Sequence, residues 1–255
     1  MSELRELEVN ILAENKRVHA AEGTLFDQLH PEIFNSFEQS LLNRDLQDLA
    51  APPLSQAVDF GCGTRNITLK LLARGLKVTA VDLSQPLLDL LAVRARPLGS
   101  ACTIVCEDLD TFLAGRKQLP ELVTMSSVLH HLPDPWKTLD TICNLLPTGG
   151  CLYLTHEPTD CPAPLMVQLL YFCDRVLWNL LHPRLCALGR SIDYSISDYH
   201  ARKGFGPAAM QTFLAAKGMT INRIRLYGAS RFPLLARLTN ALGDKRQMTL
   251  IARKR

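Results

Sequence analysis

Four residues carry the densest chemical signal in the chain: Asp59, Gly61, Gly63 and Asp82. The two glycines follow the apolar run Ala57-Val58-Asp59-Phe60 and precede the first turns of a helical pattern. Without a β-carbon, the backbone can turn sharply there and lie against a bound group. A helix starting at such a turn offers free N–H groups and a positive dipole end to an anion. Nineteen residues after Gly63, a second apolar run, Val78-Thr79-Ala80-Val81, ends in Asp82, placed to accept hydrogen bonds from ribose hydroxyls. Strand, glycine turn, helix, strand and acid is how α/β folds hold an adenosine-containing ligand.

These four residues alone suit either a nicotinamide cofactor or S-adenosylmethionine. Spacing separates the two. The dinucleotide pattern G-x-G-x-x-G places its third glycine at position 66, which here is Asn66. Asp59 lies outside that pattern. It fits acid-x-G-x-G, in which the carboxylate reaches the cationic amino end of a methionine-like ligand.

Three further segments accompany the turn: Cys106-Glu107-Asp108-Leu109, the run Ser126-Ser127-Val128-Leu129-His130-His131-Leu132-Pro133-Asp134-Pro135, and Leu146-Pro147-Thr148-Gly149-Gly150. Together they resemble the class I S-adenosylmethionine-dependent methyltransferase family, in the branch with a VLHHL-DP segment, over about residues 55–157. A fainter likeness, Phe26-Asp27-Gln28-Leu29-His30-Pro31-Glu32, looks like the opening helix of such enzymes. The resemblance implies that Asp59, Gly61, Cys62 and Gly63 hold the methionine part and that Asp82 binds the ribose, with Leu83 packing on the adenine. It also implies that Asp108 accepts from the adenine amino group, Leu109 supplies a backbone contact and Ser126 lines the site. No catalytic residue and no metal ligand is assigned.

The implied activity is methyl transfer to a small or lipid-like acceptor. Two other readings stand beside it: a non-catalytic family member serving as an interaction module, and a nicotinamide-dependent oxidoreductase. The first draws on Arg65, which occupies the family's third glycine position. Its side chain must point out of the turn, where it lies along the helix, pairs with the cofactor carboxylate or impairs binding.

The elements that must position these residues follow from periodicity. Strands are predicted at 56–60, 77–81, 102–106, 122–126 and 151–155, alternating with helices at 65–74, 85–94 and 136–146. That alternation argues for a parallel sheet with helices on both faces. The fold class is α/β: the resemblance implies a doubly wound, Rossmann-like, seven-stranded sheet with an antiparallel last strand, 247–252, beside 219–226. Helices are predicted at 207–217 and 232–242. The expected organisation is a helical N-terminal cap or lid (1–50), a cofactor-binding core (51–157), a helical substrate-side insertion (158–206) and a C-terminal part of the sheet with a basic helix (207–255). Leu4, Leu7 and Ile11 give the first helix an apolar stripe, Leu25-Phe26-Asp27 would lie nearest the site, and Ala51-Pro52-Pro53 breaks the chain before the core.

Several residues admit a plain reading beside a functional one. Histidine as a residue type titrates near neutrality, which would suit His130 or His131 as a base, yet in the family the pair usually shapes the pocket. Glu157 contacts substrate or caps a loop, and Tyr194, Tyr199 and His200 are candidates for the substrate side. Segment 165–182 is strongly apolar, with Gln168, Arg175, Asn179 and His182 recurring as one polar stripe, and reads first as a core or lid helix. Residues 221–255 hold nine Lys/Arg and one acid, net +8, leaving −5 for the rest. An apolar helix with basic residues nearby also fits peripheral contact with an anionic membrane. The basic run lacks interleaved aromatics, so no nucleic-acid partner is expected. Eight scattered cysteines without CxxC spacing, and no secretory or membrane-spanning run, lead us to expect a reduced, cytoplasmic protein.

Overall fold

The computed structural model describes residues 2–49, 54–99, 101–198 and 200–255, with side chains from Val9 onward. The Ala51-Pro52-Pro53 break, Tyr199 and the side chains of Leu4 and Leu7 lie outside the described residues. Short runs rich in Val, Ile, Leu and Cys form strands β1 (Gln56–Phe60), β2 (Lys77–Asp82), β3 (Cys102–Cys106), β4 (Leu122–Ser126) and β5 (Cys151–Pro158). The central ones are buried almost end to end, as parallel strands covered on both faces are. β6 (Met219–Tyr227) and β7 (Gln247–Lys254) complete a sheet of order β3-β2-β1-β4-β5-β7-β6. Pairing is parallel from β3 through β5, and β7 runs antiparallel to both β5 and β6. The strand order reverses between β1 and β4, which opens a crevice beyond their carboxyl ends.

Four helices precede the sheet: α1 (Ser2–Glu22), α2 (Phe26–Leu29), α3 (Pro31–Phe34) and α4 (Ser36–Leu49). Gly23, at φ +47, ends α1, and Pro31 opens α3 where a first turn needs no N–H. The connecting helices are α5 (Thr68–Leu72), α6 (Gln85–Ala95), α7 (Leu109–Ala114) and α8 (Pro135–Leu145), followed by α9 (Leu165–Leu181), α10 (Pro183–Ser191), α11 (Pro207–Ala216) and α12 (Pro233–Ala241). One core cluster joins Phe60, Phe112, Met125, Leu139 and Leu250, with α11 contributing Met210 and Leu214. A second joins Leu42, Leu46 and Leu49 of α4 to Leu71, Cys151 and Tyr153. The cap is therefore built into the core through α4.

The structure departs from sequence expectation in two places that bear on function. The helix after the glycine turn starts at Thr68, not 65, because residues 61–67 stay in turn conformation. The apolar helix at 165–182 stops at Leu181, since Pro183 starts α10, and its apolar surface is mostly exposed. Only Val167 and Asp174 of α9 are buried.

Much of the basic excess of 221–255 is consumed internally. Fully buried Asp45 of α4 accepts from Arg223 Nη1 (3.1 Å), Arg225 Nη1 (2.9 Å) and Tyr153 Oη (3.2 Å), and Asp48 pairs with Arg223 at 2.7 Å. Removing one partner of a buried pair leaves the other's charge uncompensated. Asp45→Ala should lower the unfolding free energy in urea by about 3 kcal/mol.

Candidate functional site

The glycine turn closes on its own carboxylates. Gly61 and Gly63 adopt φ +59 and +55, and a β-carbon on Gly61 would come within 2.4 Å of Val128 Cγ2. At Gly63 the nearest atom to such a carbon is Phe26 Cε1, at 3.9 Å. Asp82 accepts from Gly63 N and Ser84 N, each at 2.9 Å. Asp59 accepts from Thr68 Oγ1 (2.6 Å) and, across the sheet, Thr124 Oγ1 (2.7 Å). Burial raises its carboxyl to about 6, against the opposing pull of those two hydroxyls.

A cavity of about 360 Å³ opens over this turn. Asp59, Gly61, Cys62, Gly63, Asp82, Leu83, Leu109 and Ser126 all line it. Asp108 does not: its carboxylate caps α7, accepting from Thr111 N (2.9 Å) and Thr111 Oγ1 (2.5 Å). The cap supplies Asn15, His19, Phe26, His30, Glu32 and Phe34, and the loop after α10 supplies Tyr194 and Asp198. Three lining residues carry a buried polar atom without a partner: Asn15 Oδ1, Glu32 Oε2 and Asn66 Nδ2. Unpaired buried polar atoms are costly, and here they offer a polar ligand two acceptors and a donor.

Two carboxylates, half-buried Asp27 and buried Glu22, hold the cap in place. Asp27 accepts from Thr64 Oγ1 (2.5 Å) and pairs with Arg65 Nε and Arg94 Nη1, each at 3.0 Å. Arg65 therefore does not line the cavity: it points out of the turn to Asp27 and stacks over Phe34, 4.7 Å from the ring centre. Glu22 accepts from His30 Nε2 (2.6 Å), His19 Nδ1 (2.8 Å) and Tyr194 Oη (2.8 Å). These hydrogen bonds and the nearby imidazolium outweigh burial and hold Glu22 well below the ordinary carboxylate range. His30, half-buried, is pushed up to about 10 by Glu22 and Glu32.

The opposite wall is strained. Ser127 and His156, just past β4 and near the end of β5, both line the cavity at positive φ, +60 and +57. Non-glycine residues rarely hold that conformation unless the surroundings enforce it. Glu157 does so here: fully buried, it accepts from Val128 N, Leu129 N and His130 N and from His130 Nδ1 at 3.0 Å. Glu157 thus caps the loop and is absent from the cavity wall. With Nδ1–H given to Glu157, a neutral His130 carries its lone pair on Nε2, and the residue lines the cavity. His131 gives Nδ1–H to Ser197 O (2.9 Å), and burial beside two other histidines holds it well below the usual histidine range. Burial drives Glu38 up to about 8 and His156 down to about 4, so their 3.5 Å contact joins two uncharged groups at neutral pH. His200 lies outside the cavity wall, donating its backbone N–H to His130 O.

Sequence reasoning missed Glu22, His19, Asn15, Arg94 and Asp198; the 26–32 likeness and the lid reading around Leu25-Phe26-Asp27 were the signals that the cap faces the site. The Glu22–His30 pair also yields a pH signature. His30's contribution is complete below its ordinary 6.5 and is lost as pH rises through about 10, whereas Glu22's is complete above 4.5 and is lost in acid. The stability difference between wild type and His30→Gln should therefore peak near pH ~6, at about 3 kcal/mol, and vanish by about pH 10. Thermal melts across that range measure it.

Comparison with known proteins agrees with this geometry. Residues 34–185, more than half of the chain, match a family model described as a methyltransferase domain. A ubiquinone biosynthesis O-methyltransferase from Coxiella burnetii is 29% identical over 98 residues, which are 38% of this chain and 42% of that protein. The matched part thus spans about two fifths of the length of such curated relatives. Magnesium protoporphyrin IX methyltransferase from Synechocystis PCC 6803, solved with bound SAH, superposes with a TM-score of 0.59 at 16% identity, covering 95% of this chain and 100% of that one. The N-methyltransferase NodS from Bradyrhizobium japonicum WM9, with S-adenosyl-L-homocysteine, gives 0.60 at 16%, covering 96% and 98%. These likenesses extend to β6 and β7, beyond the family match. The chain belongs to the methyltransferase-domain family, with the fold of the class I S-adenosylmethionine-dependent enzymes.

Proposed function

We propose that this protein transfers the methyl group of S-adenosylmethionine to a small or lipid-like acceptor. The observation that carries this reading is one continuous cavity joining the Asp59–Gly63–Asp82 turn to a chamber walled by the cap and by His130. When bound, S-adenosylmethionine supplies a sulfonium methyl group that an aligned nucleophile displaces. Asp59, Gly61, Cys62 and Gly63 hold the methionine end, with Asn66 Nδ2 offering a donor to its carboxylate. Asp82 takes the ribose hydroxyls, Leu83 packs on the adenine, Leu109 adds a backbone contact, and Ser126 lines the methyl side. Asp108, engaged in capping α7, keeps lone pairs for the adenine amino group. In this reading residues 51–157 hold the donor, and 1–50 with 158–206 enclose the acceptor. The cap's Asp27 and Glu22 contacts exclude water from the chamber, and His130 Nε2 accepts the proton of an ionisable acceptor.

The alternative of a degenerate, non-binding member drew on Arg65. Its engagement with Asp27 leaves the turn free for a ligand and removes the motive for that reading. An apolar exposed helix also supports peripheral membrane contact, developed below.

Calorimetry with S-adenosylmethionine and S-adenosylhomocysteine should show micromolar binding that Asp82→Ala abolishes; no heat with either would reject the proposal. Because Asp59 titrates near 6 and is assigned to the ligand's ammonium group, affinity should fall roughly tenfold per unit as pH drops below that value. Asp59→Asn should bind weakly with that pH dependence removed.

A further inference from the structure

α9 is inverted relative to a core helix. The residues it turns inward include polar ones: Asp174, which pairs with Arg231 Nη1 at 2.8 Å and accepts from Ser230, and Tyr171, which donates to Asp244 at 2.8 Å beneath the Arg246 guanidinium. The residues it leaves in solvent are apolar, from Leu165 (73% exposed) through Leu169 and Phe172 to Leu180 (73%). α12 lies against α9, with Trp178 and Phe232 rings in edge contact, and adds exposed Leu234 (74%) and Leu238. A contiguous apolar surface of this kind marks an interaction site.

Exposed charge along these segments has one sign. Across 161–192 and 228–246 the only acids are Asp174 and Asp244, and both are buried in the ion pairs just described. Arg175, Arg184, Arg190, Arg237 and Lys245 are exposed, and none forms an ion pair among the described residues. The nearest acids along the chain, Asp160 and Asp193, lie outside these segments. Apolar side chains amid unpaired cations complement an anionic, apolar-cored surface, whereas a two-fold contact with a second copy would set these cations against one another. No helix of the described residues is long and apolar enough to cross a membrane.

We infer that α9, with the adjoining α12, docks in the plane of an anionic lipid headgroup layer, its apolar residues among the acyl-chain ends and its arginines at the phosphates. The inference extends the lipid-like reading of the acceptor, but docking is measured without donor or acceptor, so either can fail alone.

Co-sedimentation of the full chain with phosphatidylcholine vesicles, with and without phosphatidylglycerol, tests it. Binding is expected only with the anionic lipid, weakening as salt is raised. The double variant Leu169→Glu/Phe172→Glu should bind at least about tenfold more weakly, and Arg175→Glu about fivefold more weakly. Both should keep the wild-type melting temperature and donor calorimetry, since these side chains are exposed and outside the cavity. Absence of binding to anionic vesicles at low salt would overturn the inference, as would binding that the double variant leaves unchanged. So would light scattering that finds a stable dimer which the double variant dissociates.

Discussion

The arrangement of the whole site hangs on Asp27. This carboxylate belongs to the cap, yet its partners Thr64, Arg65 and Arg94 belong to the glycine turn and the helix after β2. Two guanidiniums and a hydroxyl converging on one mostly buried carboxylate form strong, charge-assisted contacts. They bring Phe26 to the edge of the turn, within van der Waals reach of Gly63, whose φ of +55 favours glycine there. Arg65 thereby acquires a structural reason. Glycine at that position serves close packing in related turns, and here an outward-pointing arginine binds the cap instead.

Around that anchor, the cavity has two walls of different character. The cap wall is held by ionised groups, Glu22 and His30, which exchange hydration for one another. The strand-end wall is held by hydrogen bonds from consecutive backbone amides to Glu157, which keep Ser127 and His156 in a costly backbone conformation. Strain of this order persists only where neighbouring bonds over-determine it. Both residues line the cavity, and the same carboxylate takes Nδ1–H of His130.

The helical insertion follows a third logic. α9 is fastened to the protein through Asp174 and Tyr171, polar contacts that need burial to be strong, which leaves its leucines and Phe172 without an internal partner. The basic C-terminal segment divides likewise. Arg223 and Arg225 neutralise Asp45 and Asp48 inside the fold, while Arg237 and Lys245 stay in solvent near α9.

Much of this was legible in order along the chain. Alternating apolar runs and helical patterns specify β1 to β4 within a residue and the start of β5, which runs on to Pro158, because parallel strands buried on both faces require continuous apolar stretches and little else does. Gly61, Gly63 and the acids at 59 and 82 announce the turn, since the glycines hold its positive φ and Asp82 accepts from the backbone N–H groups of Gly63 and Ser84. Tertiary structure alone decided the rest. The partners of Asp27 lie 37 to 67 residues away, and Glu22 meets Tyr194 across 172 residues, separations at which no local periodicity speaks. Asp108 carries an acid where the family has one, but only the folded chain reveals its capping of α7. The composition of α9 is equally consistent with burial and exposure; which one holds depends on what the fold leaves opposite it, and that is a property of the assembled surface.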